Sequence, residues 1–470
     1  MAEHVRLIIL GAGTAGLSAL SEASRQTDDL LLVDPGPLGT TCARVGCMPS
    51  KALLRVAHQV REGQRLREAG LVGGTEAVNG HAVMVHVRAL RDRFASGPAA
   101  AVEKLGERYL RGPARLVGPD RVEVNGRVLS ADAIIVATGS RPVMPQPWKA
   151  LGDKLLGSDD IFELDTLPSR LAVVGLGAIG TEIGQALAML GVEVHGFAMN
   201  ERIAGISDPE VNALAREALG EDLHLHMGAA VEPRLSGEEV IIAAGDKEVR
   251  VDALLAATGR APVVEGLGLD SLGVPLGDNG LPEIDPRTLR AGDTNVFLAG
   301  DVNGVIPLMH EAADEGRLAA WHALQPEAQC LSRRTPLAMV FTTPQIARAG
   351  LGRQELPHDA LVAGADFSRQ SRAILMGEGR GLLRVYASAD GRLIGGEMAV
   401  PGGEHLAHEL AWLIQQEIHV EDALQLPFYH PVLEEGLRSA LQGLRRQLPE
   451  RRRRPDLPLC GEAGDPLPGI

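Results

Sequence analysis

The sequence LIILGAGTAG at residues 7–16 decides the fold of the first part of the chain. Four apolar residues predict a buried strand, and the G-x-G-x-x-G pattern of Gly11, Gly13 and Gly16 leads into a helical pattern over residues 15–25. A lone pattern of this kind is weak evidence among 56 glycines, but the preceding strand and the following helix are its required context. The glycines let the backbone turn tightly and approach a pyrophosphate at the positive end of the helix. The segment therefore predicts a dinucleotide-binding βαβ unit.

The same pattern occurs again in LAVVGLGAIG at residues 171–180. Its glycines are Gly175, Gly177 and Gly180. A second repeat accompanies the first, because ADAIIVATGSRP at residues 131–142 corresponds to VDALLAATGRAP at residues 251–262. Two repeated motifs in the same order indicate a duplicated nucleotide-binding architecture. Such a chain binds two dinucleotides, or one dinucleotide beside a degenerate second fold.

The acid at the end of the second strand of each unit accepts hydrogen bonds from a ribose. In the first unit this residue is Asp34, which follows the apolar run at residues 30–33 and lies 23 positions after Gly11. The same offset from Gly175 leads to Ala198. The first unit therefore keeps its ribose acid, and the second unit does not.

The composition excludes several classes of function. The 470 residues carry 61 acidic and 46 basic side chains, and the net charge of −15 disfavours binding to phosphate backbones. Aromatic residues make up 3%, too few for a base-stacking platform, and four cysteines cannot staple a secreted scaffold. The first residues lack the pattern of a signal peptide, and no apolar run approaches about 18 residues. We expect a cytoplasmic protein of roughly three domains that binds neither nucleic acid nor a membrane.

The character of the sequence changes after about residue 334. Short strand-like runs occur at residues 338–341 and 381–386, and helical patterns follow at residues 404–417 and 432–444. These patterns predict a separate α+β domain at the C-terminal end.

Two of the cysteines lie close together in GTTCARVGCMPSK at residues 39–51. Cys42 and Cys47 follow the first nucleotide strand and precede a helical pattern that begins near Lys51. A helix N-terminus and a neighbouring ammonium group both stabilise a thiolate. A zinc site needs more ligands than this segment offers, so we predict no metal site. The spacing favours a redox-active disulfide over two unconnected buried thiols.

This segment resembles the redox motif G-G-T-C-x-x-x-G-C-x-P-S-K of the flavoprotein pyridine nucleotide-disulfide oxidoreductases, and among them the enzymes that oxidise dihydrolipoyl groups. The resemblance extends over residues 5–445. It implies an α/β fold class with two Rossmann-like dinucleotide-binding domains and a C-terminal α+β dimerisation domain. The implied boundaries are residues 1–147 completed by 271–333 for FAD, 148–270 for NAD(P), 334–446 for the dimer interface and 447–470 for a disordered tail.

The resemblance also implies which residues hold the two cofactors. The matches to the FAD motifs are Gly11, Gly13, Gly16, Asp34, Thr41, Lys51, Ala114, Thr138, Gly139, Asp301, Met309 and His310. The matches to the NAD(P) site are Gly175, Gly177, Gly180, Glu182, Ala198 and Gly259. Asp301 ends the run VFLAGD at residues 296–301, whose acid contacts the ribityl chain of the flavin in this family.

A second catalytic group is implied by YHPVLEE at residues 429–435. Its His-Pro followed by a glutamate resembles the family's base, which identifies His430 and Glu435 as the pair. An imidazole near neutral pKa suits thiol deprotonation, and a carboxylate orients its ring. In this family the histidine reaches the disulfide of the other subunit, so the resemblance implies a homodimer.

The implied activity transfers electrons from a dithiol to a nicotinamide. A dihydrolipoyl group on a partner protein, or a small dithiol, would lose a proton to His430 and attack Cys42. Cys47 would then be released towards the flavin, which reduces NAD. Lys51 would pair with Glu182 near the reacting edge of the flavin. The catalytic set is therefore Cys42, Cys47, His430, Glu435, Lys51 and Glu182.

Several residues depart from the family pattern and leave alternatives open. Ala198 replaces the glutamate of NAD-dependent members, and Met199 stands where NADPH-dependent members place an arginine. The sequence therefore does not decide between NAD and NADP. A related NADPH-dependent reductase of the glutathione-reductase or mercuric-reductase type is one alternative, and a flavoprotein assembly subunit with little turnover is another. Cys330 is expected to be structural or incidental. Cys460 lies in the tail, where a single cysteine cannot form a second redox pair within one chain.

Overall fold

The computed structural model describes residues 3–74, 77–228, 230–245, 247–325, 327, 329, 331–449 and 455–457. Cys330, Cys460 and the arginine run at residues 451–454 lie outside these residues. The chain divides into two compact units. The first comprises Met1–Gly175, Met189–Val192 and Glu232–Arg333, and the second comprises Leu176–Ala188, Glu193–Val231 and Arg334–Ile470.

The described residues form strands and helices throughout the chain. The strands are β1 (Glu3–Leu10), β2 (Leu30–Asp34), β3 (Tyr109–Arg111), β4 (Ala114–Gly118), β5 (Arg121–Val124), β6 (Arg127–Val136), β7 (Ser140–Pro142), β8 (Leu155–Gly157), β9 (Arg170–Val174), β10 (Glu193–Ala198), β11 (His224–Met227), β12 (Glu232–Ser236), β13 (Glu239–Ala244), β14 (Lys247–Val251), β15 (Ala253–Ala256), β16 (Arg260–Pro262), β17 (Val296–Leu298), β18 (Leu337–Val340), β19 (Gln345–Gly350), β20 (Leu361–Asp366), β21 (Leu382–Ala387) and β22 (Leu393–Val400). The α-helices are α1 (Thr14–Ala23), α2 (Thr41–Val45), α3 (Cys47–Glu68), α4 (Gly80–Glu103), α5 (Ala178–Met189), α6 (Pro209–Gly220), α7 (Met309–Leu324), α8 (Ser371–Leu375), α9 (Gly403–Gln415), α10 (Val420–Ala423) and α11 (Glu435–Arg445).

The first unit is built on a seven-stranded sheet in the order β3-β2-β1-β6-β5-β4, with β17 also paired to β6. Strand β1 pairs in parallel with both β2 and β6, so it lies in the middle of the sheet. Leu7 and Ile9 pack into the apolar cluster on one face, and Ile8 and Leu10 pack into the cluster on the other. A strand buried on both faces reads as a continuous apolar run, which is what residues 7–10 show.

Helices α1 and α7 pack against each other very closely on one face of this sheet. A Cβ added at Gly316 would lie 2.1 Å from the carbonyl oxygen of Ala15. A Cβ at Gly300, where φ is +78°, would lie 2.9 Å from the Cβ of Ala15. The glycines on α7 and before it therefore let the second helix approach the backbone of the first.

The rest of the first unit consists of three smaller groups of strands. Strand β15 pairs in parallel with β8 and β9. Strands β12, β13 and β14 form an antiparallel sheet. Strands β7 and β16, which end the two Ala-Thr-Gly repeats, pair with each other in antiparallel fashion. The repeated motifs of the sequence are thus joined directly to one another.

The second unit contains a five-stranded antiparallel sheet in the order β18-β19-β22-β21-β20. Apolar residues of this sheet form one core with Leu406 and Leu410 of α9 and with Leu437, Leu441 and Leu444 of α11. The sequence predicted helices at residues 404–417 and 432–444, and both are present with shifted ends. This part of the chain is the predicted α+β domain, and the mixed α/β fold class is confirmed.

A buried carboxylate ties strand β22 to the segment that precedes α6 within the same unit. Glu397 is fully buried and accepts hydrogen bonds from the backbone N–H groups of Ser207 and Asp208 at 2.7 and 2.9 Å. The hydroxyl of Tyr386 also donates to it, at 3.2 Å. Burial and the carboxylates of Glu397 and Asp208 raise the pKa of Tyr386, so its hydroxyl stays a hydrogen-bond donor.

In the described part of the chain, none of the helices combines the length and the hydrophobicity that a membrane-spanning segment needs.

Candidate active site

The first glycine turn leaves no room for side chains. A Cβ at Gly11, where φ is +108°, would lie 2.3 Å from the carbonyl oxygen of Ala137. A Cβ at Gly16 would lie 1.8 Å from the carbonyl oxygen of Gly11. Gly13 precedes the first residue of α1, so its backbone lies at the N-terminal end of that helix. This is the geometry that lets a pyrophosphate meet the helix N-terminus.

The second glycine turn repeats this geometry at its first position. A Cβ at Gly175, where φ is +102°, would lie 2.2 Å from the carbonyl oxygen of Ala257. Gly177 precedes α5, and its carbonyl accepts the N–H of Thr181 at 3.0 Å, while Gly180 is buried in the first turn of α5. The repeat seen in the sequence is therefore also a repeat of backbone conformation.

Asp34 is fixed beside the first glycine turn. One carboxylate oxygen accepts the N–H of Ala12 at 2.7 Å, and the other accepts the N–H of Gly36 at 2.6 Å. The hydroxyl of Tyr109 donates to the Asp34 carbonyl at 3.2 Å. Ala114 begins β4, opposite Val124 of β5. The backbone N–H groups of Ala12 and Gly36 thus fix the orientation of the predicted ribose acid.

The corresponding position of the second fold has a different chemistry. Ala198 ends β10 opposite Met227, and its carbonyl accepts the N–H of Gly228 at 2.9 Å. Met199 follows with 79% of its surface exposed. The Asn200 side chain accepts the N–H of Arg202 at 3.0 Å. The end of β10 therefore presents an apolar side chain where a ribose hydroxyl or a phosphate would be recognised.

The two Ala-Thr-Gly turns hold each other by matching hydrogen bonds. The Thr138 hydroxyl donates to the Val263 carbonyl at 2.9 Å, and the Thr258 hydroxyl donates to the Val143 carbonyl at 2.8 Å. The N–H of Val263 donates to the Gly139 carbonyl, and the N–H of Val143 donates to the Gly259 carbonyl, both at 2.9 Å. Sequence reasoning found both motifs but missed that they contact each other.

Asp301 belongs to a polar network that sequence reasoning also missed. Ser140 donates its hydroxyl proton to the Asp301 carboxylate at 2.6 Å. The guanidinium of Arg260 donates to the hydroxyl oxygen of Ser140 at 2.9 Å and forms an ion pair with the Asp159 carboxylate at 3.0 Å. The arginine after the second Ala-Thr-Gly was the visible signal, but no spacing rule connects it to residue 301.

Met309 and His310 begin helix α7, and Met309 follows Asp301 by 8 residues in the sequence. The side chain of Met309 is half exposed, and Nε2 of His310 lies 3.8 Å from Oε1 of Glu311. The first turn of α7 therefore places a polar ring and a flexible apolar side chain on the surface of the first unit.

The cysteine pair lies across the junction of two helices. Cys42 belongs to the short helix α2, which begins at Thr41, and Cys47 is the first residue of α3. The Thr40 hydroxyl accepts the N–H of Ala43 at 3.1 Å and caps α2. Both cysteines are partly buried thiols in the structure, and the Cys42 thiol forms a hydrogen bond with Cys47.

The thiol of Cys42 resists ionisation in this dithiol form. The hydrogen bond to Cys47 and burial raise its pKa far above the ordinary value, while the ammonium of Lys51 lowers it. The predicted thiolate-stabilising effect of Lys51 is present, but the second thiol outweighs it at Cys42. A base must therefore accept the proton when this pair reacts as a dithiol.

Glu182 lies in α5 of the second unit and is buried. Its Oε1 accepts the N–H of Phe341 at 2.9 Å. Lys51 is a half-buried residue of α3 in the first unit. The predicted Lys51–Glu182 ion pair stays a prediction.

His430 and Glu435 form the pair that the sequence predicts. Nδ1 of His430 lies 3.0 and 3.1 Å from the two carboxylate oxygens of Glu435. The hydrogen bond from His430, together with the N–H of Val432, holds the pKa of Glu435 below its usual value. The His430 side chain is 73% exposed, so its Nε2 is the nitrogen that can meet a substrate.

Two family models match this chain over most of its length. Residues 5–316 match the family model of the pyridine nucleotide-disulphide oxidoreductases, and residues 337–441 match the dimerisation domain of the same family. The chain belongs to this family of FAD- and NAD(P)-dependent enzymes. The predicted class of enzyme, its two cofactors and the presence of a dimerisation domain are confirmed.

Particular relatives cover nearly the whole chain. The dihydrolipoyl dehydrogenase of Thermus scotoductus is 32% identical over 94% of this chain and 97% of its own length. Dihydrolipoyl dehydrogenase 3 of Haloarcula marismortui is 28% identical over 95% of this chain and 98% of its own. The structure of LpdA from Mycobacterium tuberculosis has a TM-score of 0.82, 26% identity and coverage of 93% and 99%. The HOCl-induced flavoprotein disulfide reductase RclA from Escherichia coli, at 21% identity and a TM-score of 0.81 over 93% and 99%, shares the fold.

The first nucleotide fold fits FAD by its own geometry. The tight turn at Gly11 and Gly16 gives a phosphate group access to the start of α1, and the oriented carboxylate of Asp34 lies beside it. The cysteine pair lies at the junction of α2 and α3 in the same unit, so the redox groups and the cofactor fold share one compact structure.

Proposed function

We propose that this protein is a dihydrolipoyl dehydrogenase that oxidises a dihydrolipoyl group on a partner protein, or a small dithiol, and reduces NAD. The observation that carries the proposal is the cysteine pair at the junction of α2 and α3, whose thiols contact each other near Lys51. The full-length relatives in Thermus scotoductus and Haloarcula marismortui carry this name.

The chain's own residues account for the transfer of two electrons from the substrate thiols to the cysteine pair. Starting from the Cys42–Cys47 disulfide, His430 accepts a proton from one substrate thiol, and the resulting thiolate attacks the sulfur of Cys42. The disulfide breaks and Cys47 leaves as a thiolate. The second substrate sulfur then attacks the substrate sulfur of the mixed disulfide. The oxidised substrate is released, Cys42 leaves as a thiol that carries the second proton, and His430 keeps the first. Two electrons and two protons have then left the substrate.

The remaining steps return the enzyme to its disulfide form. Bound FAD supplies the chemistry that converts the electron pair of the dithiol into a hydride for the nicotinamide. Lys51 stabilises negative charge on the sulfurs, and Glu435 keeps the ring of His430 in one orientation. The second glycine turn holds the pyrophosphate of NAD, and the other predicted FAD- and NAD(P)-binding residues contact the cofactor whose motif they match.

We also propose a function for each region of the chain. Residues 1–147 with 271–333 bind FAD, residues 148–270 bind NAD(P), and residues 334–446 form the dimer interface. His430 acts on the cysteine pair of the other subunit, which makes the homodimer the catalytic unit.

Anaerobic reduction of the FAD-loaded enzyme, followed by turnover, tests this proposal. We expect NADH to reduce the enzyme rapidly and dihydrolipoamide to reduce NAD in steady state. A Cys42→Ser variant should keep its FAD absorbance and lose turnover, because the sulfur that the substrate attacks is gone. Rapid reduction by NADPH alone, without turnover of dihydrolipoamide, would contradict the proposal.

The second candidate function is an NADPH-dependent disulfide reductase. It is favoured by one observation, the exposed Met199 and the buried Ala198 at the end of β10 in place of an acidic residue. An acid at this position would repel the 2′-phosphate of NADP, and this chain has none there. The same reduction experiment separates the two candidates, since it compares the two nicotinamides on one preparation.

A further inference from the structure

Three histidines form a cluster on strands β10 and β11. This cluster has no role in the proposed reaction. The two strands pair in parallel, with His195 opposite His224 and Phe197 opposite His226. Alternate residues of a strand point to the same side of a sheet. Glu193 therefore shares that side with the three histidines.

The side chains of this cluster are in direct contact. Nε2 of His195 lies 3.0 Å from Oε1 of Glu193, and its Nδ1 lies 3.2 Å from Nε2 of His226. The rings of His195 and His224 stack with centroids 4.7 Å apart, and the ring of His226 stacks on Phe197 at 4.5 Å. His195 lies at the centre of the cluster, with 13% of its side chain exposed.

The potential ligand atoms of Glu193, His195 and His224 all lie within 4.8 Å of one another. A tetrahedral site with bonds of about 2.0–2.1 Å separates its ligand atoms by about 3.3 Å. Glu193 and His224 are exposed, so small side-chain rotations bring their atoms to this separation. This is the only such group of three among the residues that the structure describes.

We propose that Glu193, His195 and His224 bind one divalent first-row transition metal ion, of which Zn²⁺ is the representative. Two imidazoles and one carboxylate form a common set of zinc ligands, and water completes the tetrahedron. His226 is a positioning residue, because its contact with Nδ1 of His195 leaves Nε2 directed towards the carboxylate. A hydrogen-bonded partner on the second nitrogen is the usual companion of a metal-bound histidine.

The site has a defined place in the fold, although it is separate from the redox chemistry. Strand β10 continues from His195 to Ala198, and β11 continues from His224 to Met227, which is opposite Ala198. A metal ion that joins residues 195 and 224 crosslinks the two strands three residues before the segment where the second nucleotide fold would meet a ribose. Binding to the folded state alone raises thermal stability by mass action.

Equilibrium dialysis of the FAD-loaded enzyme against Zn²⁺ tests the proposal. The enzyme is kept in its disulfide form, so that Cys42 and Cys47 do not bind the metal. We expect one Zn²⁺ per chain and a rise in the midpoint of thermal unfolding. The double variant His195→Asn, His224→Asn should lose the site, and His226→Phe should weaken it by about 10–100-fold, as the loss of an outer hydrogen-bonded partner does.

The matched control is His358→Asn, because this histidine is 98% exposed and lies outside the cluster. It should bind Zn²⁺ like the parent enzyme. Far-ultraviolet circular dichroism and FAD content verify that each variant is folded. The single variant Glu193→Gln removes only the carboxylate ligand, so it should weaken Zn²⁺ binding with the smallest change to the fold. Absence of stoichiometric Zn²⁺ binding, or binding that the double variant retains, would overturn the proposal.

Discussion

Glu435 holds His430 in one orientation through both of its oxygens, and this contact predicts a specific kinetic defect. In Glu435→Gln the imidazole loses its anionic partner and rotates more freely. We expect kcat for dihydrolipoamide oxidation to fall by about 10–100-fold, a part of what a positioned general base contributes, while KM changes little. Steady-state kinetics check this. Glu434→Gln changes the neighbouring residue as a control, and an equal loss in both variants would contradict the assigned role.

Some residues of the candidate site could be predicted from local sequence, and others could not. Asp34 follows a recognisable strand at a fixed offset from Gly11, and its carboxylate indeed lies beside the glycine turn. Ser140 contacts Asp301 from a position 161 residues away in the chain, and Arg260 contacts Ser140 across 120 residues, so both contacts exist only after folding. The raised pKa of Cys42 likewise depends on burial and on the position of a second thiol.

Helix α7 can approach α1 only because Gly316 has no side chain, and this predicts a stability defect at the level of the element. In Gly316→Ala the new Cβ would lie 2.1 Å from the Ala15 carbonyl oxygen, so the helices must separate. We expect a loss of about 1–3 kcal/mol in the free energy of unfolding, as overpacking typically costs. Denaturant unfolding of the FAD-loaded enzyme measures it.

The control for this helix is Gly63→Ala on α3, where the added Cβ would meet only the end of the Arg67 side chain, at 3.4 Å. An alanine in an open helical position stabilises by about 0.5–1 kcal/mol relative to glycine. A Gly316→Ala variant as stable as the Gly63→Ala variant would show that α1 and α7 are not closely packed.

Helix α9 carries a carboxyl group whose titration predicts a pH-dependent stability. Burial and the nearby Glu434 raise the pKa of Glu409 from 4.5 to about 7. Because the folded-state pKa is the higher one, this group destabilises the protein as the pH rises from 4.5 to about 7 and has a constant effect above. Glu409→Gln should therefore melt at a higher temperature than the parent at about pH 8 and at the same temperature near pH 4.5. Glu404→Gln, on the same helix, is the control, and a stability gain that does not depend on pH would contradict the assignment.

The elements themselves were predictable where their patterns were regular. Helix α1 was predicted at residues 15–25 and lies at Thr14–Ala23, and the strand predicted at residues 381–386 lies at Leu382–Ala387. The C-terminal helix was predicted from residue 432 and begins at Glu435, whose carboxylate accepts the N–H of Val432. Strand β22 was not predicted, because Gly395 and Gly396 interrupt its apolar pattern and are required by the close approach of Leu351 and Leu410.

At the scale of the whole molecule, the duplication was visible in the sequence but its physical meaning was not. The two Ala-Thr-Gly repeats predicted two similar turns, and the structure joins them through β7 and β16. The compact units also do not follow the order of the chain, because the second glycine motif begins in one unit at Gly175 and continues in the other from Leu176. Compactness depends on contacts between distant residues, which no local pattern records.

The proposed dimer predicts how two inactive variants combine. A dimer with Cys42→Ser in one chain and His430→Gln in the other has one intact site if the histidine acts across the interface, so it should have about half of the parent activity. With both substitutions in one chain and a parent partner, no intact site remains. Differently tagged chains allow both mixed dimers to be purified and assayed with dihydrolipoamide. The opposite pattern, with activity only when both substitutions share a chain, would place His430 and the cysteine pair of one site in the same subunit.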